Sequence, residues 1–303
     1  MRHIDYLLDD AREASRAHAS HPSTASYALQ GEAGAPGGYD GAQDAFAPPP
    51  KLASAQGLQT GDGVVRHGLW LHSLELGASW DSLVAAEPRL DLSSYEAHSS
   101  HERSGGCDWK IFMEIYFDDY HVEPFHPGLA SMADCSQLGW LWAPAGQAQV
   151  VGGAAGSPAG SEPYADLSNR AQRALGPMAA GAVWAALYPG TMIEWLAGGV
   201  AISTLSPSGP GACSNRVEFA YPKGVALGSP EFVRAHQAAY WETAAEDDEI
   251  GRRIQQGRDA LAKAGRHEAG PAHPLMEAGI VKFHDWLEAA SWRASGPKPR
   301  ALR

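Results

Sequence analysis

An α+β fold, one curved antiparallel sheet wrapped around a long C-terminal helix, is what the patterning of the chain predicts. Three observations carry it. Four short apolar runs over 180–224, "AGAVWAALYPG", "TMIEWLAGG", "VAISTLSPSGPG" and "SNRVEFAYPKG", each end in Gly or Pro, as antiparallel strands joined by turns do. A long helical segment follows from Ser229, with Ser229 as N-cap, Pro230 in the first turn and Glu231 behind it. A last helical stretch, "HPLMEAGIVKFHDWLEAASW", closes the pattern, and strands in a run flanked by helices favour one sheet packed on helices.

In chain order, "GEAGAPGGYDGAQDAFAPPP" (31–50) is Gly, Ala or Pro at 14 of 20 positions and reads as a linker, with a boundary near residue 60. Beyond it "GVVRHGLWLHSLEL" alternates and predicts a strand. "SSYEAHSSHERSGG" is a polar strand or loop leading into "CDWKIFMEIYFDDYH". There Trp109, Phe112, Met113, Tyr116 and Tyr120 recur at helical spacing, and a helix over about 108–122 ends at Pro124. "GQAQVVGGAAGSPAGSEP" (146–163) is Gly, Ala, Ser or Pro at 13 of 18 positions and reads as a mobile surface loop, a plausible lid.

Composition narrows the function classes. The chain is 44% hydrophobic and 19% charged, a globular balance. Its formal net charge of −12, with no basic block, argues against nucleic acid as a partner. No apolar run reaches the ~18 residues of a membrane span, and the start lacks a secretory layout, so a cytoplasmic location is expected. Cys107, Cys135 and Cys213 fit no disulfide framework, and none sits in a C-x-x-C, C-x-H or C-x-x-H motif.

The chemistry-bearing stretch is "DDYHVEPFHPG" (118–128). Asp118, His121 and His126 form D-x-x-H-x-x-x-x-H. On a helix Asp118 and His121 share a face, and a turn after Pro124 can aim His126 at the same spot. Two imidazoles plus a distant carboxylate make the facial triad of non-haem Fe(II), with open positions for dioxygen and substrate. The second histidine pair at the same interval, His67 and His72, falls on a strand pattern that points them to opposite faces. Glu246, Asp247, Asp248 and Glu249 offer the carboxylate, and the pattern leaves open which of them turns inward.

"DWKIFMEIYFDDYHVEPFHPGL" resembles the catalytic-domain signature of Rieske non-haem iron oxygenase alpha subunits, the ring-hydroxylating oxygenases. Trp109, Lys110 and Glu114 match, while Asp108 stands where Asn is usual and Ile115 where a second Asn is usual. "WETAAEDDEIGRRIQQG" resembles the family's acid-then-Q-x-G helix, and "VKFHDWLEAA" its closing F-H-x-W-L. The resemblance implies the helix-grip fold over 65–292, with 1–64 a shortened, rewritten and partly disordered counterpart of the Rieske domain and 293–303 a flexible tail. It implies that His121, His126 and Asp247 bind Fe(II), that Asp118 links this iron to a neighbouring subunit's cluster, and that Glu114 holds its helix in place. The C-x-H and C-x-x-H ligands of a [2Fe-2S] cluster are not in this chain, so electrons come from outside it, from a ferredoxin or reductase. Further expectations are a homotrimer or assembly with other oxygenase subunits, and O2-dependent hydroxylation of an apolar or aromatic small molecule. Trp184, Tyr188 and Trp195 are candidate pocket residues. The alternative from another class is a silent helix-grip module that binds a ligand or assembles without turnover.

Overall fold

The computed structural model describes residues 64–71, 73–154, 161–177, 180–266 and 271–295. The expected Rieske-like remnant and His72 lie outside these residues, as does the tail beyond Ser295.

Strands β1 (Val64–Arg66) and β2 (Leu69–Leu71) form a hairpin that closes at Arg66↔Leu69. His67 and Gly68 make its turn with φ of 46° and 84°, the left-handed pair whose twist suits a two-residue hairpin. A Cβ on Gly68 would lie 2.4 Å from the Leu92 carbonyl oxygen, so only glycine fits. The single strand expected through this stretch therefore ends at Leu71. Ser73 then caps helix α1 (Leu74–Ala86), its Oγ accepting from Leu76 N at 3.2 Å. Leu76, Trp80, Leu83 and Val84 carry the buried helical stripe. His67 pairs with Asp81, 3.2 Å away, consistent with a structural place for that histidine.

Seven strands make the main sheet: β3 (Tyr95–Gly105), β4 (Ala133–Ala143), β5 (Gly146–Gly153), β6 (Ala182–Leu187), β7 (Thr191–Leu196), β8 (Gly199–Gly209) and β9 (Ala212–Pro222). They are antiparallel, in the order β3-β9-β8-β7-β6-β5-β4. The predicted meander is thus the middle of the sheet, each of its strands paired with the next. Residues 146–153 are not the expected loop. As β5 they pair with both neighbours, and their small side chains allow close packing: Gln147 Nε2 reaches Gly279 O at 3.2 Å. Residues 155–160 of that stretch lie outside the described residues.

Alternation gives the central strands two apolar faces. Val183, Ala185, Ile193, Trp195, Val200 and Ile202 pack with α1 and the hairpin. Trp184, Leu196, Ala201, Phe219 and Tyr221 face the other way, toward helix α7. The helices on that side are α2 (Trp109–Tyr116), α3 (Val122–Phe125), α4 (Pro127–Ala130), α5 (Glu162–Leu175), α6 (Val225–Gly228), α7 (Pro230–Lys263) and α8 (Ala278–Ser295). At 34 residues, α7 spans about 51 Å. It begins where predicted, although Ser229 makes no side-chain capping bond. Trp195 therefore belongs to the α1 face, and Tyr188 is buried against Phe117, Phe283 and Trp286. Of the three candidate pocket aromatics, only Trp184 faces α7.

The helix expected over 108–122 is broken. α2 stops at Tyr116, whose hydroxyl donates to Ala185 O (3.1 Å) and whose carbonyl accepts from Gln149 Nε2 (2.8 Å). Asp118 Oδ1 then accepts from Tyr120 N at 2.7 Å, a side-chain turn that competes with helix continuation. Pro124 does not end a helix. It lies in the first turn of α3, where its missing N–H has no intrahelical partner to lose.

Candidate metal centre

Three side chains from separate elements converge. His121 leaves the turn after α2, His126 sits at the junction of α3 and α4, and Asp247 projects from the middle of α7. His121 Nε2 and His126 Nε2 are 3.0 Å apart, His126 Nε2 and Asp247 Oδ1 3.0 Å, and His121 Nε2 and Asp247 Oδ1 3.5 Å. One atom from each residue thus falls within a sphere suited to one ion. Donors about 2 Å from a common ion stand about 3 Å apart when they subtend a right angle, so the set fits a metal with imidazole and carboxylate ligands. The His126 side chain is 1% exposed and that of His121 12%, which shields the centre from water.

Neighbours orient the donors. Glu246 Oε2 lies 2.7 Å from His126 Nδ1; it accepts that proton and leaves the lone pair on Nε2 facing the other donors. Asp118 Oδ2 lies 3.3 Å from His121 Nδ1, inside ion-pair range but misaligned for a hydrogen bond. Burial alone would lower His121, but Asp118 and Asp247 outweigh it and raise the imidazole to about 9. Burial raises Asp247, and its bonds to His121 and His126 outweigh that, taking it down to about 2. The imidazoles hold a proton firmly and the carboxylate stays ionised, so the set presents its electron pairs to a cation.

The run of four acids resolves by helical rotation of about 100° per residue. Glu246 meets His126 and Asp247 meets both histidines. Asp248 pairs with Arg103, and Glu249 turns outward to Arg252 and Arg253, each 2.7 Å away. Glu114 stands outside the donor set. It is buried and bonded to Arg258 and to His284 Nε2 (2.8 Å); burial raises its pKa, but these partners hold it below the ordinary range. It ties α2 to α7 and α8. Gln255 Oε1 accepts from Asp108 N (2.9 Å), so the downstream motif residues Gln255 and His284 both anchor the upstream helix.

Beside Asp247 lies a cavity of about 50 Å³ between α7 and the sheet, lined among others by Phe112, Tyr116, Trp184, Leu196 and Tyr240. One water needs roughly 10–15 Å³ of such space, so the cavity has room for a small ligand or a few waters. Glu194 on β7 also lines it, and sequence reasoning missed this residue. The available signal was an acid at the alternation position between Met192 and Leu196. Burial, and then the negative charge of Asp247, push Glu194 up to about 8. Sequence reasoning also missed Asp119, 2% exposed between Asp118 and the first histidine and raised to about 8, by burial first.

The profile of the ring hydroxylating alpha subunit (catalytic domain) family matches residues 92–291. The chain belongs to that family. It is 42% identical over 203 residues to a protein of Ralstonia nicotianae named putrescine 2-hydroxylase, covering 65% of this chain and 55% of that protein. It is 38% identical over 224 residues to a Bordetella bronchiseptica protein of the same name, covering 73% and 52%. The chain spans about half the length of these curated relatives. In fold it resembles a quaternary ammonium Rieske monooxygenase (TM-score 0.56, 11% identity, 80% of this chain and 67% of that one). It also resembles a naphthalene 1,2-dioxygenase from Rhodococcus sp. bound to indole (TM-score 0.53, 17% identity, 83% and 73%). Both are likenesses of fold. Ring-hydroxylating alpha subunits work with a non-haem Fe(II) and a Rieske cluster in general, which agrees with the resemblance read from the motifs. No helix among the described residues is long and apolar enough to cross a membrane.

Proposed function

We propose that this chain is the catalytic portion of an oxygenase that hydroxylates a small aliphatic amine at a mononuclear Fe(II) held by His121, His126 and Asp247. The convergence of those three donor atoms within 3.5 Å carries the reading. When bound, the iron supplies dioxygen activation, driven by electrons from outside this chain.

The protein's own part is positioning. Glu246 holds His126 in one tautomer and Asp247 lies against both imidazoles, so the three donors are oriented toward one point. Asp118, against His121 Nδ1, is the group through which electrons from a neighbouring subunit's cluster would reach the centre. Glu114 keeps α2 docked, and with it the turn that carries Asp118 and His121. Phe112, Tyr116, Trp184 and Leu196 give the substrate space apolar walls that exclude water. The names of the two relatives turn the substrate reading from an aromatic ring to an aliphatic amine. A ferredoxin or reductase donor and a multimeric assembly complete the reading.

The test is metal content after anaerobic Fe(II) loading, with a nitric oxide adduct read by EPR, in wild type and His121→Ala. About one iron per chain, lost in the variant, is the expected result. No specific iron in the wild type would refute the oxygenase reading and leave a silent ligand-binding domain.

A further inference from the structure

We infer that Glu194 is the specificity-determining residue of the cavity, its carboxylate receiving the terminal ammonium of an aliphatic primary amine. The inference rests on the amine reading above and names the group that would recognise such a substrate.

The placement of Glu194 is costly unless something compensates it. In "TMIEWL" alternation sends Met192, Glu194 and Leu196 to the α7 face of β7. Across the strands Glu194 sits opposite Trp184 and Ala201, both apolar. Its carboxylate has no hydrogen-bond or cationic partner among the described residues, whereas Glu114 has Arg258, Glu246 has His126 and Asp248 has Arg103. A carboxylate half-buried among apolar groups without a partner is destabilising, and such groups concentrate where a ligand completes the site.

The cavity around it selects for a cation. Its acidic lining groups are Glu194 and Asp247, and no Lys or Arg lines it. The imidazole that faces it, His236, is kept neutral: burial takes it down to about 4, and Tyr221 Oη sits 3.2 Å from Nδ1. With Asp247 committed to a metal, Glu194 is the acidic group left to meet a cation, and an arriving ammonium favours its ionised form. Tyr116, Trp184 and Tyr240 add ring faces, which attract cations and tolerate methylenes. Glu194 is partly accessible, as a ligand-receiving group must be. The shared lining also makes chemical sense. In relatives named for hydroxylation at carbon 2 of putrescine, the reacting carbon adjoins the carbon that bears nitrogen, so the ammonium anchor and the metal ligand must share one small cavity. Glu194 and Asp247 do.

The experiment is calorimetric titration of the full chain, anaerobic and Fe(II)-loaded, with putrescine, 1-aminobutane and the neutral 1-butanol. Wild type is compared with Glu194→Gln and Glu194→Asp. Wild type is expected to prefer 1-aminobutane over 1-butanol, and Glu194→Gln to weaken both amines by roughly 10–100-fold and abolish the preference. Glu194→Asp keeps the charge and should retain part of the preference, which a merely folding-related loss would not do. Amine binding in Glu194→Gln equal to wild type overturns the inference, as does a wild type that binds neither amine. Iron stoichiometry on the same samples separates the two readings. Iron bound with no Glu194-dependent amine binding overturns this inference alone. Glu194-dependent amine binding without iron upholds it and refutes the oxygenase.

Discussion

Glu246→Ala isolates the role of an acid that touches no metal donor atom. In the folded chain Glu246 Oε2 takes the Nδ1 proton of His126 at 2.7 Å, and the imidazole is almost fully enclosed while the carboxylate side chain is 32% exposed. A charge-assisted hydrogen bond of this kind contributes about 1.5–3 kcal/mol, and partial exposure of Glu246 puts the expectation at the low end. Without it His126 can place its proton on either nitrogen and rotate, so the lone pair on Nε2 is no longer fixed. Second-layer partners of ligand imidazoles are worth about 10–100-fold in metal affinity, and about tenfold is expected here. The assay is an anaerobic Fe(II) titration against a competing chelator, with melting of the metal-free protein as a check on folding. Glu249→Ala is the control, since that acid turns outward to Arg252 and Arg253 and should leave iron affinity unchanged. Equal affinity in Glu246→Ala and wild type, or equal losses in both variants, would refute the reasoning.

Other outcomes follow from packing and charge. Phe283→Ala empties a fully buried ring between Trp109, Phe117 and Tyr188, and should cost about 3–5 kcal/mol in denaturant unfolding; a loss under about 1 kcal/mol would show that α8 is not docked there. Gly68→Ala meets both a positive φ and the Leu92 carbonyl, so a loss above about 1 kcal/mol is expected in the same measurement. For Glu114 the folded pKa lies below the ordinary value, so its contribution is fully present above about pH 4.3 and fades as pH falls through the lowered folded pKa. The stability gap between wild type and Glu114→Gln should therefore be about 1–3 kcal/mol near neutrality, discounted for the half-exposed Arg258, and close on acidification. A gap that widens in acid would reverse the assigned sign.

Much of this protein was legible in one dimension because its signals are local. The meander announced itself through apolar runs that stop at Gly or Pro, and the long helix through Ser229-Pro230. The pairing of two histidines with an acid sat within nine residues, at a spacing that a turn can bring to one point. The family resemblance of those residues agrees with the profile match over 92–291. Where local signals conflicted, the sequence misled. Ser73 started a helix inside an alternating pattern, Asp118 broke a helix whose apolar period ran on, and Gly- and Ala-rich 146–153 became an inner strand, since backbone pairing on both sides does not depend on side-chain propensity.

Tertiary structure alone decided the rest. The acids' own pattern left the third donor open and only the motif resemblance singled out Asp247; that Asp247 meets both histidines while Glu246 meets His126 Nδ1 depends on the rotation of α7 against a segment about 120 residues away. The same holds for Glu194. By itself it is one acid in an apolar strand, and only the packing of α7 on the sheet brings it into the cavity that Asp247 borders. Spacing along a chain governs which side chains share a face; which faces meet, and what charge each leaves uncompensated, is set by the packing of the whole domain.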